Sequence, residues 1–289
     1  MNKSPGELHR DGRISAEVAL ARLALAGLAP EQILSRLEAE GNPALARIAR
    51  ERFADLVRLR AFVDAARVNH QTLTADEAAA ISSLCLLFDR AASLCPEAGV
   101  AAYSLGDPRV LEAATAEILE WLQREHLLGL STDVLDLGCG IGRVAGAIAP
   151  KVRSVLGLDL SSVMIAEARR RHRVANVRFA TTSGNDLAAV AAKSMDLLLA
   201  VDSFPYLVQA GLPVAERHIA DAARILRPGG TLAILNLSYR GLAADRTDAT
   251  CWSDAYGFEL IHHGETPFTL WDGAVFLFRV RNPDCADGG

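Results

Sequence analysis

The chain reads as an α/β protein: a seven-stranded, mostly parallel sheet with one antiparallel strand from a C-terminal hairpin, preceded by an all-α N-terminal region. Three observations predict this. From about residue 131, short β-branched or Leu-rich runs alternate with helical stretches, the texture of a doubly wound parallel sheet. The last two runs are joined by a turn-rich link, Gly264 to Gly273, and read as a hairpin. Ahead of residue 99 nothing alternates with period two, and apolar residues recur at helical spacing.

In the helical region, Ser15 is placed to cap a helix running to Gly27, with Val18, Leu20, Leu23 and Leu25 on or near one face. Pro30 suits a first helical position, Ile33, Leu34 and Leu37 follow, and Gly41 ends that helix. Asn42-Pro43 opens a longer helix through Leu45, Ile48, Phe53, Leu56, Val57 and Leu59. Thr74 with Glu77 three residues on forms a capping box for a helix carrying Ile81, Leu84, Leu87 and Phe88. Residues 1–98 are therefore read as one helical region and 99–289 as the α/β domain.

The strand candidates are 133–137, 154–160, 177–182, 195–201, 231–237, 259–263 and 274–281, with helical patterns between the first five. A pure dinucleotide-binding fold would end on a parallel strand instead of a hairpin.

Composition narrows the function classes. Of 289 residues 51% are apolar, enough for a substantial core, and the net charge of −5 does not suit a nucleic-acid binder. Arg169, Arg170, Arg171 and Arg173 cluster on one predicted helix and read as a solvated face. The five cysteines include no CxxC pair, so neither a disulfide framework nor a zinc site is suggested and no metal is expected. The first residues lack the apolar stretch of a signal peptide, and no run of about 20 apolar residues occurs. A cytoplasmic protein without membrane or nucleic-acid partners is expected.

The chemistry is concentrated in Val134-Leu135-Asp136-Leu137-Gly138-Cys139-Gly140-Ile141-Gly142-Arg143. An apolar strand runs into three glycines and then a helical stretch, so the backbone can turn sharply and approach a ligand. Two ligand classes compete. A nicotinamide dinucleotide loop has G-x-G-x-x-G, but Arg143 stands where the third glycine belongs. Asp136, two residues before Gly138, would repel a pyrophosphate and suits a ligand bearing an ammonium or sulfonium. Asp159 ends the next strand about 20 residues on, where an acid accepts hydrogen bonds from ribose hydroxyls. It also suits a helix cap for the segment from Ser161.

Asp136 through Gly142 resembles motif I of the class I S-adenosylmethionine-dependent methyltransferases. Asp159, Ser161, Ser162 and Met164 resemble the second motif. Arg227-Pro228-Gly229-Gly230 resembles the turn before strand five. The resemblance runs in order over about residues 100 to 281 and implies a Rossmann-like fold with S-adenosylmethionine as cofactor. Residue by residue it places Gly138 and Gly140 along the methionine part, with Asp136 near the ammonium. Asp159 is placed on the ribose, Leu160 and Met164 against the adenine, and Val201 and Asp202 beside the sulfonium. Many members have an acid directly after strand three. Here Ser183 stands there, so Gly184, Asn185 or Asp186 is expected at the adenine edge. A Tyr before motif I closes over the cofactor in many relatives, which nominates Tyr103.

The Asp202-Ser203-Phe204-Pro205-Tyr206 loop departs from the acid-or-Asn, two-proline pattern of the amino-methylating DNA and protein enzymes. It looks more like the loop of small-molecule members, so a small-molecule acceptor is expected. Methyl transfer needs alignment more than a triad. If a base exists, Asp202, Tyr206 and His262 are the candidates. Arg240 is placed either to meet an acidic substrate or to make a salt bridge. Cys139 reads as a small buried filler. Relatives often add N-terminal helices that roof the site, select substrate or pair subunits, so 1–98 is expected to do one of these, homodimerisation included. The alternatives are a non-enzymatic cofactor-binding regulator and an NAD(P)-dependent oxidoreductase.

Overall fold

A computed structural model describes residues 3–70, 76–271 and 273–281. Helices α1 (Pro5–Arg10), α2 (Ala16–Leu25), α3 (Pro30–Ala39), α4 (Pro43–Glu51), α5 (Phe53–His70), α6 (Glu77–Leu94), α7 (Pro96–Val100) and α8 (Pro108–Arg124) come first. The sheet region follows as β1 (Asp133–Leu137), α9 (Arg143–Ile148), β2 (Ser154–Asp159), α10 (Ser162–Arg171), β3 (Val177–Thr181) and β4 (Met195–Val201). It closes with α11 (Phe204–Ala210), α12 (Leu212–Ile225), β5 (Leu226–Leu235), α13 (Leu242–Tyr256), β6 (Phe258–Glu265) and β7 (Val275–Val280). The strand order is β3-β2-β1-β4-β5-β7-β6, and β7 runs antiparallel to both its neighbours.

Period-two alternation sends each strand's residues to two different cores. Val134, Leu197, Leu199, Ala233 and Leu277 pack with α2–α5, α8, α9 and α10. Leu135, Leu137, Leu198, Leu232 and Phe276 pack with α11, α12 and α13 on the other face. The N-terminal helices thus share one apolar cluster with the sheet, and each buried Leu or Ile in it contributes about 1.5–3 kcal/mol. Among the described residues no single helix is long and apolar enough to cross a membrane.

Local chemistry sets the helix ends. Ser15 Oγ accepts from the Val18 amide at 3.1 Å, and its hydroxyl donates to the Leu270 carbonyl at 3.1 Å, tying α2 to the link between β6 and β7. Thr74 lies outside the described residues. Asp76 caps α6 instead, its carboxylate accepting from the Ala78 amide at 3.1 Å.

Three sequence expectations need correction. The long helix from Asn42 is two helices, broken at Arg52, whose backbone leaves helical geometry. The guanidinium turns inward to Asp55 (3.0 Å) and Asp107 (2.5 Å), which ties the break to the start of α8. No helix separates β3 from β4. Gly184 takes a left-handed φ of +76°, and the α12 residues Asp221 and Arg224 bind the Leu187 amide and the Leu187 and Val190 carbonyls. Those contacts satisfy the groups that a helix would otherwise pair. The turn Arg227 to Gly230 lies within β5 as an irregularity, since Leu226 already pairs with Met195 and Thr231 with Leu197.

Arg52 gives a first prediction. Its partner Asp107 is held well below the usual carboxylate range, with the Arg52 hydrogen bond as the largest cause. Arg52→Leu should cost roughly 1–3 kcal/mol, because it strips a buried carboxylate of its nearest cation and leaves it only the more exposed Arg109 and the Arg109 amide. Urea unfolding at pH 7 reads the loss. A depressed carboxyl contributes above its unfolded value of 3.8 and loses that contribution as pH falls below it, so the two proteins should converge in strong acid.

Candidate active site

The carboxyl ends of β1, β2, β4 and β5 open into a cavity of about 820 Å³, roofed by α2, α6 and the segment 98–103. That is near the upper end of the roughly 300–1,000 Å³ typical of small-molecule sites. The edge is where open α/β sheets bind ligands.

The glycine loop after β1 is held against β2. The Gly138 and Cys139 amides both donate to the Leu158 carbonyl, at 2.7 and 2.9 Å. Gly138 has φ +71°, and a Cβ there would lie 2.3 Å from Ser203 Cβ. Gly140 has φ +52°, and a Cβ would lie 2.5 Å from Val100 Cγ1. Both positions need the left-handed region and the missing side chain.

Asp136 lies at the floor, 2% exposed. Its Oδ2 has no hydrogen-bond partner among the described residues. Burial pushes its carboxyl up to about 7, opposed by Arg143 and the Ala145 amide. Tyr103 Oη and Trp271 Nε1 are likewise buried without partners and line the same cavity. Tyr103 stacks on Trp271 with ring centroids 5.8 Å apart. His218 Nε2, on another residue of the lining, is a fourth, and unsatisfied buried polar groups are costly, so four around one cavity mark where a polar ligand belongs.

Asp159 fills two roles. Its Oδ2 accepts from the Gly140 amide and its Oδ1 from the Ser161 amide, both at 2.8 Å. It thereby clamps the glycine loop onto the start of α10, where Ser161 Oγ accepts from the Met164 amide at 3.0 Å. Burial raises its carboxyl, and the two amides pull the other way. Leu160, Met164, Thr182 and Gly184 continue the wall from there.

Asp202 follows β4 in a left-handed conformation, φ +53°, uncommon for a residue other than glycine. Asn236 follows β5 with φ +79°. Asn236 Nδ2 donates to Asp202 Oδ1 at 2.8 Å, and Tyr239 Oη donates to the same oxygen at 3.1 Å. Burial raises the Asp202 carboxyl to about 6, against the pull of Asn236 and Tyr239. Tyr206 lines the same wall, and its phenol is pushed up to about 12 by burial and then by Asp202.

The structure brings together Tyr103, Asp136, Gly138, Gly140, Asp159, Leu160, Met164, Gly184, Val201, Asp202 and Tyr206 around one cavity. It does not bring in Asn185, Asp186 or His262. Asn185 is exposed, and the Asp186 carboxylate is engaged by the Ala188 amide at 3.1 Å, capping its own turn. The His262 ring is 2.9 Å from Glu125 and edge-on to Trp121, because its strand lies at the far edge of the sheet. Arg240 pairs with Asp248. Arg170 and Arg171 pair with Glu167. Cys139 is buried, and burial pushes its thiol well up.

Sequence reasoning missed Asn236 and the packing role of Trp271; it placed Thr182 in the stretch at the adenine edge and Tyr239 in the segment leaving strand five at the ligand edge, without giving either side chain a role. It also weighed Arg143 only as a missing glycine. Arg143 opens α9 and lines the cavity, with Nη1 donating to Thr115 Oγ1 at 2.9 Å.

Residues 134–230 match the family described as a methyltransferase domain. The chain carries a class I methyltransferase domain. The cofactor of this domain class is S-adenosylmethionine. The site fits it: an orphaned carboxylate oxygen suits an ammonium, and the glycine loop leaves room for close approach. The demethylmenaquinone methyltransferase of Tropheryma whipplei is 32% identical over 132 residues, 42% of this chain and 52% of the relative. The fatty-acid O-methyltransferase of Mycolicibacterium smegmatis is 36% identical over 99 residues, 34% of each protein. The chain spans about half or less of the length of these curated relatives. The solved structure of phosphoethanolamine N-methyltransferase 1 from Haemonchus contortus, with phosphoethanolamine and S-adenosylhomocysteine, shares the fold of the methyltransferase domain. It has a TM-score of 0.52 at 16% identity, covering 73% of this chain and 51% of that one.

Proposed function

We propose that the chain transfers a methyl group from S-adenosylmethionine to a small-molecule acceptor. The observation that carries this reading is the buried, partnerless Oδ2 of Asp136 at the end of the first strand. A negative carboxylate there fits the ammonium of an amino-acid ligand and opposes a pyrophosphate. Gly138 and Gly140 let the methionine part approach. Asp159 takes ribose hydroxyls on lone pairs not used by its two amides. Leu160 and Met164 flank the adenine, with Thr182 and Gly184 at its edge in place of Asn185 and Asp186. Tyr103 and Val201 close the cofactor side.

When bound, the cofactor supplies a methyl group already activated on a sulfonium. The chain's part is to orient the acceptor and exclude water. The remaining wall comes from the apolar side of α6 and from α11, which suits an apolar small molecule. The two curated relatives, named for demethylmenaquinone and for fatty acids, are consistent with this. Residues 1–98 serve as roof and substrate wall, and pairing of subunits is not their proposed role.

Calorimetric titration with S-adenosylmethionine, S-adenosylhomocysteine and NAD tests the reading. Micromolar binding of both sulfur ligands and none of NAD is expected, with at least a tenfold loss in Asp159→Ala. NAD binding, or no binding of either sulfur ligand, would overturn it.

A further inference from the structure

The Asp202 carboxylate is held from one side only. Asn236 Nδ2 and Tyr239 Oη, the donors to it among the described residues, both reach Oδ1. This arrangement uses two consecutive strand ends, each finishing in a left-handed residue, Asp202 at +53° and Asn236 at +79°. Such conformations cost about 1 kcal/mol or more each and persist where the surroundings enforce them. Their effect is to point one carboxylate into the cavity with one oxygen occupied and the other available.

Around this carboxylate the wall is aromatic. Phe88 and Tyr206 meet edge to face at 4.7 Å, and Tyr206 and Tyr239 at 6.0 Å. Tyr239 is 62% exposed and stands at the mouth. Ile81, Leu84 and Leu87 extend the apolar surface. The charged groups lining the cavity are Asp136, Asp159, Asp202 and Asp245 with Arg22 and Arg143, and an acceptor carboxylate at hydrogen-bond distance from Asp202 Oδ2 would meet like charge there.

The geometry points to Asp202 Oδ2 as the general base for an apolar acceptor that presents a neutral, phenol-like hydroxyl, with Asn236 and Tyr239 as positioning residues. This rests on the methyltransferase reading. The acceptor oxygen forms its bond to the methyl carbon as the methyl–sulfur bond breaks. The hydroxyl proton passes to Asp202 Oδ2, and the sulfur leaves as a neutral thioether. A hydroxyl must shed its proton as the bond forms, whereas an unprotonated amine needs no base for the transfer itself. The Asp202 carboxyl, raised to about 6, is ionised at neutral pH and still basic enough to accept that proton. The charged and titratable groups that act on it are Arg143, Tyr103, Tyr206 and Tyr239.

The test uses 1-naphthol, 1-naphthoate and 1-naphthylamine as probes on the full chain. Wild type saturated with S-adenosylhomocysteine should bind 1-naphthol at least tenfold more tightly than 1-naphthoate, read by calorimetry. With S-adenosylmethionine, 1-naphthol should be methylated in an Asp202-dependent way, whereas any methylation of 1-naphthylamine should not depend on Asp202. The rate should rise with pH through the region near 6. Asp202→Asn should lower turnover about 100-fold. It should keep S-adenosylhomocysteine binding, because that ligand has no sulfonium charge to lose. Tyr239→Phe removes a donor that favours the charged carboxylate, so its pH–rate midpoint should move upward, a change that a purely structural role would not produce. Preference for naphthoate, an amine rate that falls as far as the naphthol rate in Asp202→Asn, no binding of any probe, or an unchanged naphthol rate in Asp202→Asn overturns the inference. Failure of wild type to bind S-adenosylhomocysteine overturns the underlying reading instead.

Discussion

Asp136→Asn will lose cofactor affinity and gain stability, and the gain will depend on pH. Removing one partner of a buried charge pair costs about 2–5 kcal/mol, so S-adenosylhomocysteine binding should weaken at least 30-fold by calorimetry. The same carboxylate burdens the unliganded fold. Its carboxyl is raised from 3.8 to about 7 by burial. An acid whose folded value is raised binds more protons folded than unfolded between those limits, so stability falls as pH climbs from about 4 to 7. At pH 8 the full penalty is present, on the order of 4 kcal/mol by linkage. At pH 4 it is nearly absent. The asparagine variant should therefore melt higher than wild type at pH 8 and close to it at pH 4. Scanning calorimetry without ligand reads the difference. Equal Tm values at both pH values would show that Asp136 carries no such burden.

Gly138→Ala should be among the most damaging single changes in the chain. The new methyl would lie 2.3 Å from Ser203 Cβ, at a φ of +71° that a side chain adopts at a cost. Strain in the left-handed region costs roughly 1 kcal/mol, and a clash with a neighbour that hydrogen-bonds to the Leu137 carbonyl adds several more. A loss of about 4 kcal/mol and of all cofactor binding is expected. Ser203→Gly in the same chain removes the clashing atom. The double variant should recover at least 1 kcal/mol over Gly138→Ala, measured by a denaturation cycle. A simply additive cycle would mean that the cost lies in the backbone alone.

The parts of this molecule that could be read from the chain were those governed by local periodicity and residue type. Strand β1 over 133–137 and β4 over 195–201 were legible because apolar runs between turn signals have few other solutions. Asp136 and Gly138 were legible as part of the cavity lining because a glycine directly after an apolar strand marks a sharp turn at the sheet's carboxyl edge. What was hidden depends on partners distant in sequence. The break at Arg52 follows from Asp107, 55 residues on, and no helical periodicity contains it. The missing helix between β3 and β4 depends on side chains of α12 that satisfy the backbone from outside. Asn236 escaped notice, and Tyr239 was placed at the ligand edge without a role, because nothing beside them in sequence reveals the left-handed turn at Asn236 that brings both to Asp202. His262 was nominated for its residue type, and the strand order then carried it to the far edge of the sheet.

The two walls of the cavity are fastened differently. Helix α2 is anchored in the large cluster that also holds the sheet, and Ser15 ties it to the β6–β7 link. The first half of α6, through Ala80, Ile81, Leu84 and Leu87, belongs to a small separate cluster with Ala210 and Val214, whereas Ala91 and Ala92 join the large one. Loosening the small cluster costs far fewer apolar contacts. The leading half of α6 is thus the wall of the site with the smaller apolar anchorage, supplemented by the Glu77–Arg217 ion pair to α12. Opening this wall would break a cluster of six buried side chains and leave the large core that holds the sheet intact.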